Sequence, residues 1–318
     1  MLALIARRLV SLVPILLLVS TVVFLLTELV PGDAATTLAG GADATRERIA
    51  EVRTELGLDR PLLERYGDWL GDAVQLDLGS SLLSREGAPT IIEELGTKLP
   101  VTFSIAFAGL FVSVLLGVPL GLLSALRPGG WIDRASVTAT SLGLAIPSFV
   151  AALFLINTFA IDRDWFPALQ YTNFGDDPWE WLRSITLPAI SIGLFAAASV
   201  ARQVRAATID ALQSNYVRTA LSVGTGTRRT VLKYAFKNAS IPAVTVLGLQ
   251  LTTLLGGVVI IERIFVIPGI GTYMFRALSA PDVPVIQAVT LTFVIIHVVA
   301  NLAVDISYGF LNPKVRVS

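Results

Sequence analysis

Six long apolar blocks constrain what this chain can fold into more than any other feature. Each block is about as long as the ~20 residues that a helix needs to cross a bilayer. Because the helix is the only open architecture that satisfies its own backbone hydrogen bonds in lipid, we predict one helix per block. Prolines lie within or beside several blocks, which membrane helices tolerate better than soluble core helices do. The blocks cover residues 9–29, 101–125, 136–160, 184–204, 239–261 and 286–310.

The composition excludes several classes of protein. Only 15% of the 318 residues are charged and 54% are hydrophobic, whereas a soluble domain has about 25% charged residues. The absence of cysteine excludes disulfides, zinc thiolate sites and thiol nucleophiles. The net charge is zero without a run of Lys and Arg, so nothing suggests a nucleic-acid partner. The single histidine excludes a multi-histidine metal site, and no phosphate-loop motif for ATP occurs.

The basic residues predict the orientation of the helices, because cytoplasmic loops of membrane proteins are enriched in Lys and Arg. If the N-terminus lies in the cytoplasm, the two short outer loops hold only Arg163, Arg183, Arg263 and Arg276. We therefore predict an all-α integral membrane protein with six transmembrane helices and both termini inside. A cleaved signal peptide is the alternative interpretation of the first block, since two arginines precede it.

The segment between the first two blocks, residues 30–100, predicts two short amphipathic helices outside the membrane. Gly57 is placed to end the first helix, and Pro61 to start the second. These helices either cap the bundle or help to dock an external partner, and the sequence leaves both roles open. Their apolar stripes are Ile49, Val52 and Leu56 in the first, and Leu62, Tyr66, Trp69 and Leu70 in the second.

The longest inner loop, residues 205–240, is the most basic part of the chain. Apolar residues recur there at helical spacing until Gly224 breaks the pattern, and a second short basic helix is predicted to follow. Such a pair of helices can dock into a groove of a partner protein or rest on anionic lipid headgroups. The first stripe is Ile209, Leu212, Tyr216, Thr219 and Val223, and the second is Val231, Leu232, Ala235 and Phe236.

This loop resembles the EAA loop of binding-protein-dependent ABC importer permeases, in the version of the dipeptide, oligopeptide and nickel group. Residues 216–220 read YVRTA, which is typical of that group, and Gly224 takes the place of the motif's glycine. The general motif's Glu-Ala-Ala falls on Arg218, Thr219 and Ala220, so only its last alanine and the glycine agree. The resemblance implies a coupling helix that docks into an ATPase subunit. Its residues would be Asn215, Tyr216, Val217, Arg218, Thr219, Ala220 and Gly224.

The resemblance extends over nearly the whole chain. Pro-Gly-Asp at residues 31–33 is similar to the family's segment after the first span, and the run from Glu262 to Gly271 to its segment after the fifth. The C-terminus is also similar, although Asn312 stands where an aspartate is more usual. The ending of the inner loop resembles the peptide group at Lys237, Asn238, Ala239, Ile241 and Pro242.

This family resemblance implies a function, a location and partners. The chain would be a permease subunit of the first type in an ATP-driven importer of the bacterial cytoplasmic (inner) membrane, most often for dipeptides or oligopeptides. Partners would be a second homologous permease subunit, two ABC ATPase subunits, an extracytoplasmic solute-binding protein and membrane lipid. ATP and Mg²⁺ would bind the ATPase subunits, and this chain would carry no cofactor and catalyse no reaction.

The resemblance and the apolar blocks together predict three segments. Residues 1–29 would form the N-terminus and first transmembrane helix, and residues 30–100 the extracytoplasmic loop. Residues 101–318 would form a five-helix permease core that contains the coupling loop.

Polar residues inside the predicted spans are the remaining candidates. Gln250, Thr252 and Thr253 either line the translocation path or bond neighbouring helices. His297, Asn301 and Asp305 are spaced by four and share one helix face, as a proton relay or as interhelical hydrogen-bonding groups. A relay would fit the alternative function, a secondary transporter driven by an ion gradient, but the sequence has no inverted repeat.

Overall fold

The computed structural model describes residues 2–28, 34–40, 43–55, 57–85, 87–226, 229–230 and 236–311. Every regular element of these residues is a helix, which confirms the all-α prediction. The elements are α1 (Leu2–Glu28), α2 (Ala34–Ala39), α3 (Arg46–Glu55), α4 (Leu62–Val74), α5 (Ile91–Leu126), α6 (Trp131–Ala145), α7 (Ser148–Leu155, continuing as a π-helical segment Ile156–Ile161), α8 (Pro178–Gln213), α9 (Asn215–Ser222), α10 (Phe236–Ile264), α11 (Ile270–Ser279) and α12 (Val283–Leu311).

Helices long and apolar enough to cross a membrane coincide with the predicted blocks. Among the described residues, α5, α8, α10 and α12 each contain such a stretch, and α6 with α7 forms a fifth if the bent pair is one span. The first block falls on α1, where the described side chains form an apolar stretch over Leu12–Glu28. The apolar multi-pass character is therefore confirmed, while the count of six spans and their orientation stay predictions.

The third block is broken, so the expectation of one continuous helix over residues 136–160 is wrong. The axes of α6 and α7 differ by 94°. Ile146 lies between them in an extended conformation, with φ −88° and ψ 116°. Pro147 explains the break, because proline disfavours helical geometry in the residue before it and lacks an N–H for the preceding turn.

Contacts divide the chain into two compact units. The α8 unit comprises residues 101–267 with the chain from residue 300 onward, and the α1 unit comprises residues 2–100 and 268–299. Each unit is described by itself below. The predicted division into residues 1–29, 30–100 and 101–318 refers to the membrane and stays a prediction.

Helix α8 is the centre of its unit. In its most apolar stretch 72% of the residues are buried, against 39% or less in the other three long spans. Small residues let α5 approach it closely: a Cβ on Gly117 would lie 2.7 Å from the carbonyl oxygen of Ala197, and one on Gly121 would lie still closer to the carbonyl oxygen of Ala201. On α10, by contrast, a Cβ on Gly256 or Gly257 would meet nothing within 4 Å.

The α1 unit contains the predicted short helices α3 and α4. Gly57 follows α3 with φ +64°, a left-handed conformation that glycine adopts without a Cβ clash. Val52 of α3 is buried, whereas Leu62 of α4 is exposed and so does not belong to the packed stripe. Leu56 lies outside the described residues. On α4, Tyr66 and Trp69 pack around Phe24 of α1, with ring centroids 5.5 and 5.8 Å from that of Phe24.

Candidate functional site

The candidate coupling helix α9 is attached directly to the end of α8. Only Ser214 separates them, with an extended ψ of 151°, and its hydroxyl donates a hydrogen bond to the carbonyl of Ala211. The apolar stripe from Ile209 to Val223 therefore falls on two helices rather than one. The break has a local cause, because serine bonds its own backbone and favours helix ends over helix interiors.

Val217 holds α9 against the end of α8. Val217 is 1% exposed and packs against Ala211 and Leu212, while Ala220 is 8% exposed. The other candidate coupling positions of this helix, Asn215, Tyr216, Arg218 and Thr219, are exposed. The helix is thus fixed along one side and presents a mixed apolar and basic surface along the other.

Gly224 ends this segment in the way that the sequence predicts. Its φ of +83° is left-handed, and the N–H of Thr225 bonds back to the carbonyl of Ala220 at 3.1 Å. Val223, just before it, is 76% exposed. Residues 231–235 of the predicted second basic helix lie outside the described residues, and Phe236 is the first residue of α10.

A buried ion pair joins three helices near the C-terminal end of α8. The Asp133 carboxylate, at the start of α6, accepts hydrogen bonds from Nε and Nη2 of Arg205 at 2.6 and 2.8 Å. It also accepts the Ser124 hydroxyl at 2.5 Å and the Gly129 N–H at 2.7 Å. The side chain of Asp133 is 6% exposed and that of Arg205 is 30% exposed. We call these four residues, Asp133, Arg205, Ser124 and Gly129, the Asp133 clasp.

Sequence reasoning missed this cluster. It treated Arg205 only as part of the positive charge that marks the inner side of the membrane. The available signal was the acidic residue at position 133 in a short inner loop that otherwise carries arginines. Its partner lies 72 positions later in the chain, so no local pattern pairs the two.

The three path candidates lie in one turn of α10. The hydroxyls of Thr252 and Thr253 both donate to the carbonyl of Leu249, at 2.8 and 3.0 Å. Thr252 is buried and Thr253 exposed. Gln250 is 9% exposed, and its Oε1 accepts no hydrogen bond from any described residue. Gln250 is therefore the candidate whose side-chain oxygen accepts no hydrogen bond among the described residues.

The α8 unit has a half-open apolar pocket of about 350 Å³ at the α6–α7 bend. Gly143, Ile146 and Ala151 line it from the bend, and α8 lines it with Leu194 and Phe195. None of the three path candidates lines it. The pocket has no charged lining residue, so it offers no site for an ion or a charged solute.

The polar residues of the last helix lie along α12 at the predicted spacing. His297 is exposed and Asn301 is half-buried, while the side chain of Asp305 lies outside the described residues. No group of His, Asp and Glu that could hold a metal ion occurs in the described parts of the chain. The structure leaves the relay and packing interpretations of this set as predictions.

Comparisons with known proteins give one consistent result. A family described as "Binding-protein-dependent transport system inner membrane component" matches residues 117–317, and its N-terminal counterpart matches residues 1–106. A protein of Brucella abortus (strain 2308) named as a peptide transport system permease is 36% identical over 316 residues, with 99% of each chain covered. A glutathione transport system permease of Shigella flexneri is 35% identical over 316 residues, again with 99% of each chain covered.

A solved structure shows the same fold at low sequence identity. A chain of the inward-facing MetNI methionine ABC transporter superposes with a TM-score of 0.59 at 17% identity. The match covers 71% of this chain and 99% of the other.

Proposed function

The chain belongs to the family of binding-protein-dependent transport system inner membrane components, and from that premise we propose how it works and what it carries. Members of this family are permease subunits of ABC importers. The chain is accordingly a multi-pass transport subunit of the inner membrane, not an enzyme, and ATP is split by separate ATPase subunits. Its partners include ATPase and permease subunits.

We propose that α9 is the element through which the ATPase acts. The observation that carries this proposal is the two-sided character of the helix: Val217 and Ala220 are buried, with Val217 packed on the end of α8, while Tyr216, Arg218 and Thr219 are exposed. A short helix held on one side and free on the other can fill a groove in a partner. A surface that only rested on lipid headgroups would need charge but no such ordered attachment.

The proposed cargo is a short peptide. Relatives that match over 99% of their length are named for peptide and for glutathione transport, and glutathione is itself a tripeptide. We propose that an extracytoplasmic solute-binding protein delivers the peptide to this chain and a second homologous permease. Two ATPase subunits would complete the complex, and their closure on ATP would push α9 of this chain and its counterpart.

Gln250 is the strongest of the three path candidates in this proposal. A peptide presents amide and carboxylate groups that need hydrogen-bond partners once water is removed. The Oε1 of Gln250, which accepts no hydrogen bond from a described residue, can accept from such an amide. The hydroxyl hydrogens of Thr252 and Thr253 are already donated to the backbone of α10, so neither can donate to the peptide.

The experiment that tests the proposal is uptake into proteoliposomes. The tagged chain is purified in mild detergent with its partners, which mass spectrometry identifies, and reconstituted with the binding protein. Uptake of radiolabelled glutathione and of a labelled dipeptide is then measured with and without ATP. ATP-dependent uptake of either peptide supports the proposal. Uptake that survives without ATP but collapses with the proton gradient would instead indicate a secondary transporter.

A pair of matched variants tests the role of α9. Ala220→Glu places a charge on the buried side of the helix and is expected to abolish coupled uptake, because a buried charge without a partner displaces the helix from its position. Ala206→Glu, at an exposed position of α8, is the control and is expected to keep it. Normal uptake by Ala220→Glu would refute the assignment of the coupling helix.

A further inference from the structure

We propose that the Asp133 clasp is a positioning device that makes α5 and α6 follow the movement of α9, so that ATP hydrolysis is coupled to opening and closing of the path. The proposal rests on the proposed function, because it assigns a role within ATP-driven transport. It adds residues that neither the coupling-loop motif nor the path candidates include.

The location of the clasp is the first argument. Arg205 lies eight residues before Gln213, the last residue of α8, which corresponds to about 12 Å along the helix axis. Only Ser214 then separates α8 from α9. A displacement of α9 therefore reaches Arg205 through a continuous rigid helix before it reaches the membrane-spanning part of α8.

The bonding pattern is the second argument. Each oxygen of the Asp133 carboxylate accepts two hydrogen bonds, one from the Arg205 guanidinium and one from the α5 side, where Ser124 and Gly129 donate. A bidentate guanidinium–carboxylate pair fixes direction as well as distance. The carboxylate thus connects the last turn of α5, the following turn and the start of α6 to one point on α8.

The packing above the clasp is the third argument. The close approaches at Gly117 and Gly121 hold α5 against α8. On α6, a Cβ on Gly143 would lie 3.3 Å from the Cβ of Ala198 of α8, so these two helices are also in close contact. Helices in such contact cannot slide past each other without separating. The clasp is the polar end of this packed interface, on the side from which α9 projects.

Stability alone would predict a different response to mutation, and a pair of variants separates the two roles. Removing one partner leaves a buried charge unpaired, so Arg205→Gln can simply fail to fold. Replacing both partners, Asp133→Asn with Arg205→Met, removes both charges at similar volume and keeps an amide oxygen that can accept from Ser124 or Gly129, and replacements of both partners of a buried ion pair are often neutral for stability. This double variant is expected to assemble. Without the guanidinium–carboxylate pair, however, α5 and α6 should no longer be held in a fixed direction relative to α8.

The test measures peptide transported per ATP hydrolysed in proteoliposomes that contain the whole complex. In the double variant this ratio is expected to fall between about 2- and 30-fold, the range found for mutations along a coupling path. ATP hydrolysis itself should continue. Arg205→Lys keeps the charge but loses the bidentate guanidinium contact. Its ratio of transported peptide to hydrolysed ATP should lie between those of the double variant and the wild type. Arg202→Gln, one turn away on the exposed surface of α8, is the matched control and should keep the wild-type ratio.

A distance measurement reads out the positioning role directly. The chain has no cysteine, so introduced cysteines are its only sites for thiol-reactive spin labels. Trp131→Cys at the start of α6 and Gln213→Cys at the end of α8 provide exposed sites on both sides of the clasp. In the otherwise wild-type complex, the distance between the labels should stay the same with and without trapped nucleotide. In the double variant it should broaden or shift with nucleotide.

Two further outcomes would overturn the proposal. A double variant that assembles, keeps the wild-type ratio and keeps a fixed label distance would reduce the clasp to a structural contact and overturn the proposal. Absence of ATP-dependent peptide uptake in the wild-type complex would refute the proposed function, and the clasp's role in coupling with it.

Discussion

Thr102 donates its hydroxyl hydrogen to Oε1 of Glu262 across 2.5 Å, and both side chains are buried. The two residues join α5 to the end of α10 within the α8 unit. A buried carboxylate is costly unless donors compensate for the water it has lost. This hydrogen bond therefore fixes where the two helices meet.

Replacing Thr102 by valine should destabilise the chain, because it removes a donor from the Glu262 carboxylate while keeping the volume. The expected loss is about 1–3 kcal/mol of unfolding free energy. Thermal unfolding in detergent, followed by tryptophan fluorescence, measures it. Thr102→Ser keeps the hydroxyl and is the matched control; a loss confined to Thr102→Ser would mean that the methyl group, not the hydrogen bond, matters.

Alanine at Gly224 should impair coupling, because a Cβ is strained at a φ of +83° and the turn after α9 would shift. We expect reduced ATP-dependent uptake with normal amounts of protein in the membrane. Gly226→Ala is the control, since Gly226 is a nearby exposed glycine whose φ is not left-handed and whose Cβ would meet nothing within 4 Å. Similar uptake by both variants would contradict a conformational role for Gly224.

Gly121→Ala should separate α5 from α8. The new methyl group would clash with the backbone of Ala201, and such overpacking costs about 1–3 kcal/mol. Gly96→Ala, on the same helix but in open space, should leave the melting temperature unchanged or raise it, because alanine favours helix by up to ~1 kcal/mol. The comparison fails if Gly121→Ala melts at or above the temperature of the wild type.

The stability of the α1 unit should decline at high pH through Tyr273. Burial, with the Glu94 and Asp282 carboxylates nearby, raises the pKa of Tyr273 to about 12, whereas an unfolded tyrosine ionises near ~10. Between these values the unfolded state has lost the proton and the folded state has kept it, so stability falls as pH rises. Melting curves from about pH 9 to 12 should show a shallower decline for Tyr273→Phe than for the wild type.

His297→Ala should leave peptide uptake within a few-fold of the wild type. The imidazole is exposed on α12, and an ATP-driven permease needs no proton relay. Uptake in proteoliposomes at equal protein amounts measures the effect. Complete loss of uptake with normal expression would favour a relay that includes His297 and the ion-gradient mechanism.

The hydrophobic pattern predicted the helices well, because helix formation depends on residues that are close together in the sequence. Block lengths, the end of α3 at Gly57 and the end of α9 at Gly224 all depend on residues within a few positions of each other. The break at Ile146 was missed although Pro147 was visible, because proline within a membrane helix can kink it slightly or break it, and neighbouring helices decide between the two.

The candidate site was predictable only where a motif marks it. The candidate coupling loop has a contiguous signature, so its residues could be proposed from the sequence. The Asp133 clasp has none, since it forms when α8 brings Arg205 beside a loop 72 positions earlier in the chain. Long-range pairing of this kind follows from helix packing, which one sequence without its fold does not reveal.

The bend at Pro147 also limits which surface of the protein lipid can cover. The last carbonyl groups of α6 have no partner within their own helix, and the break falls near the middle of the predicted third span. Acyl chains cannot hydrogen-bond to such groups, so irregular backbone at membrane depth is tolerated only against protein or water. Ile146 is 46% exposed in the single chain. We therefore expect the assembled transporter to seal this side of the bend with another subunit or with a hydrated passage, and annular lipid to be excluded there.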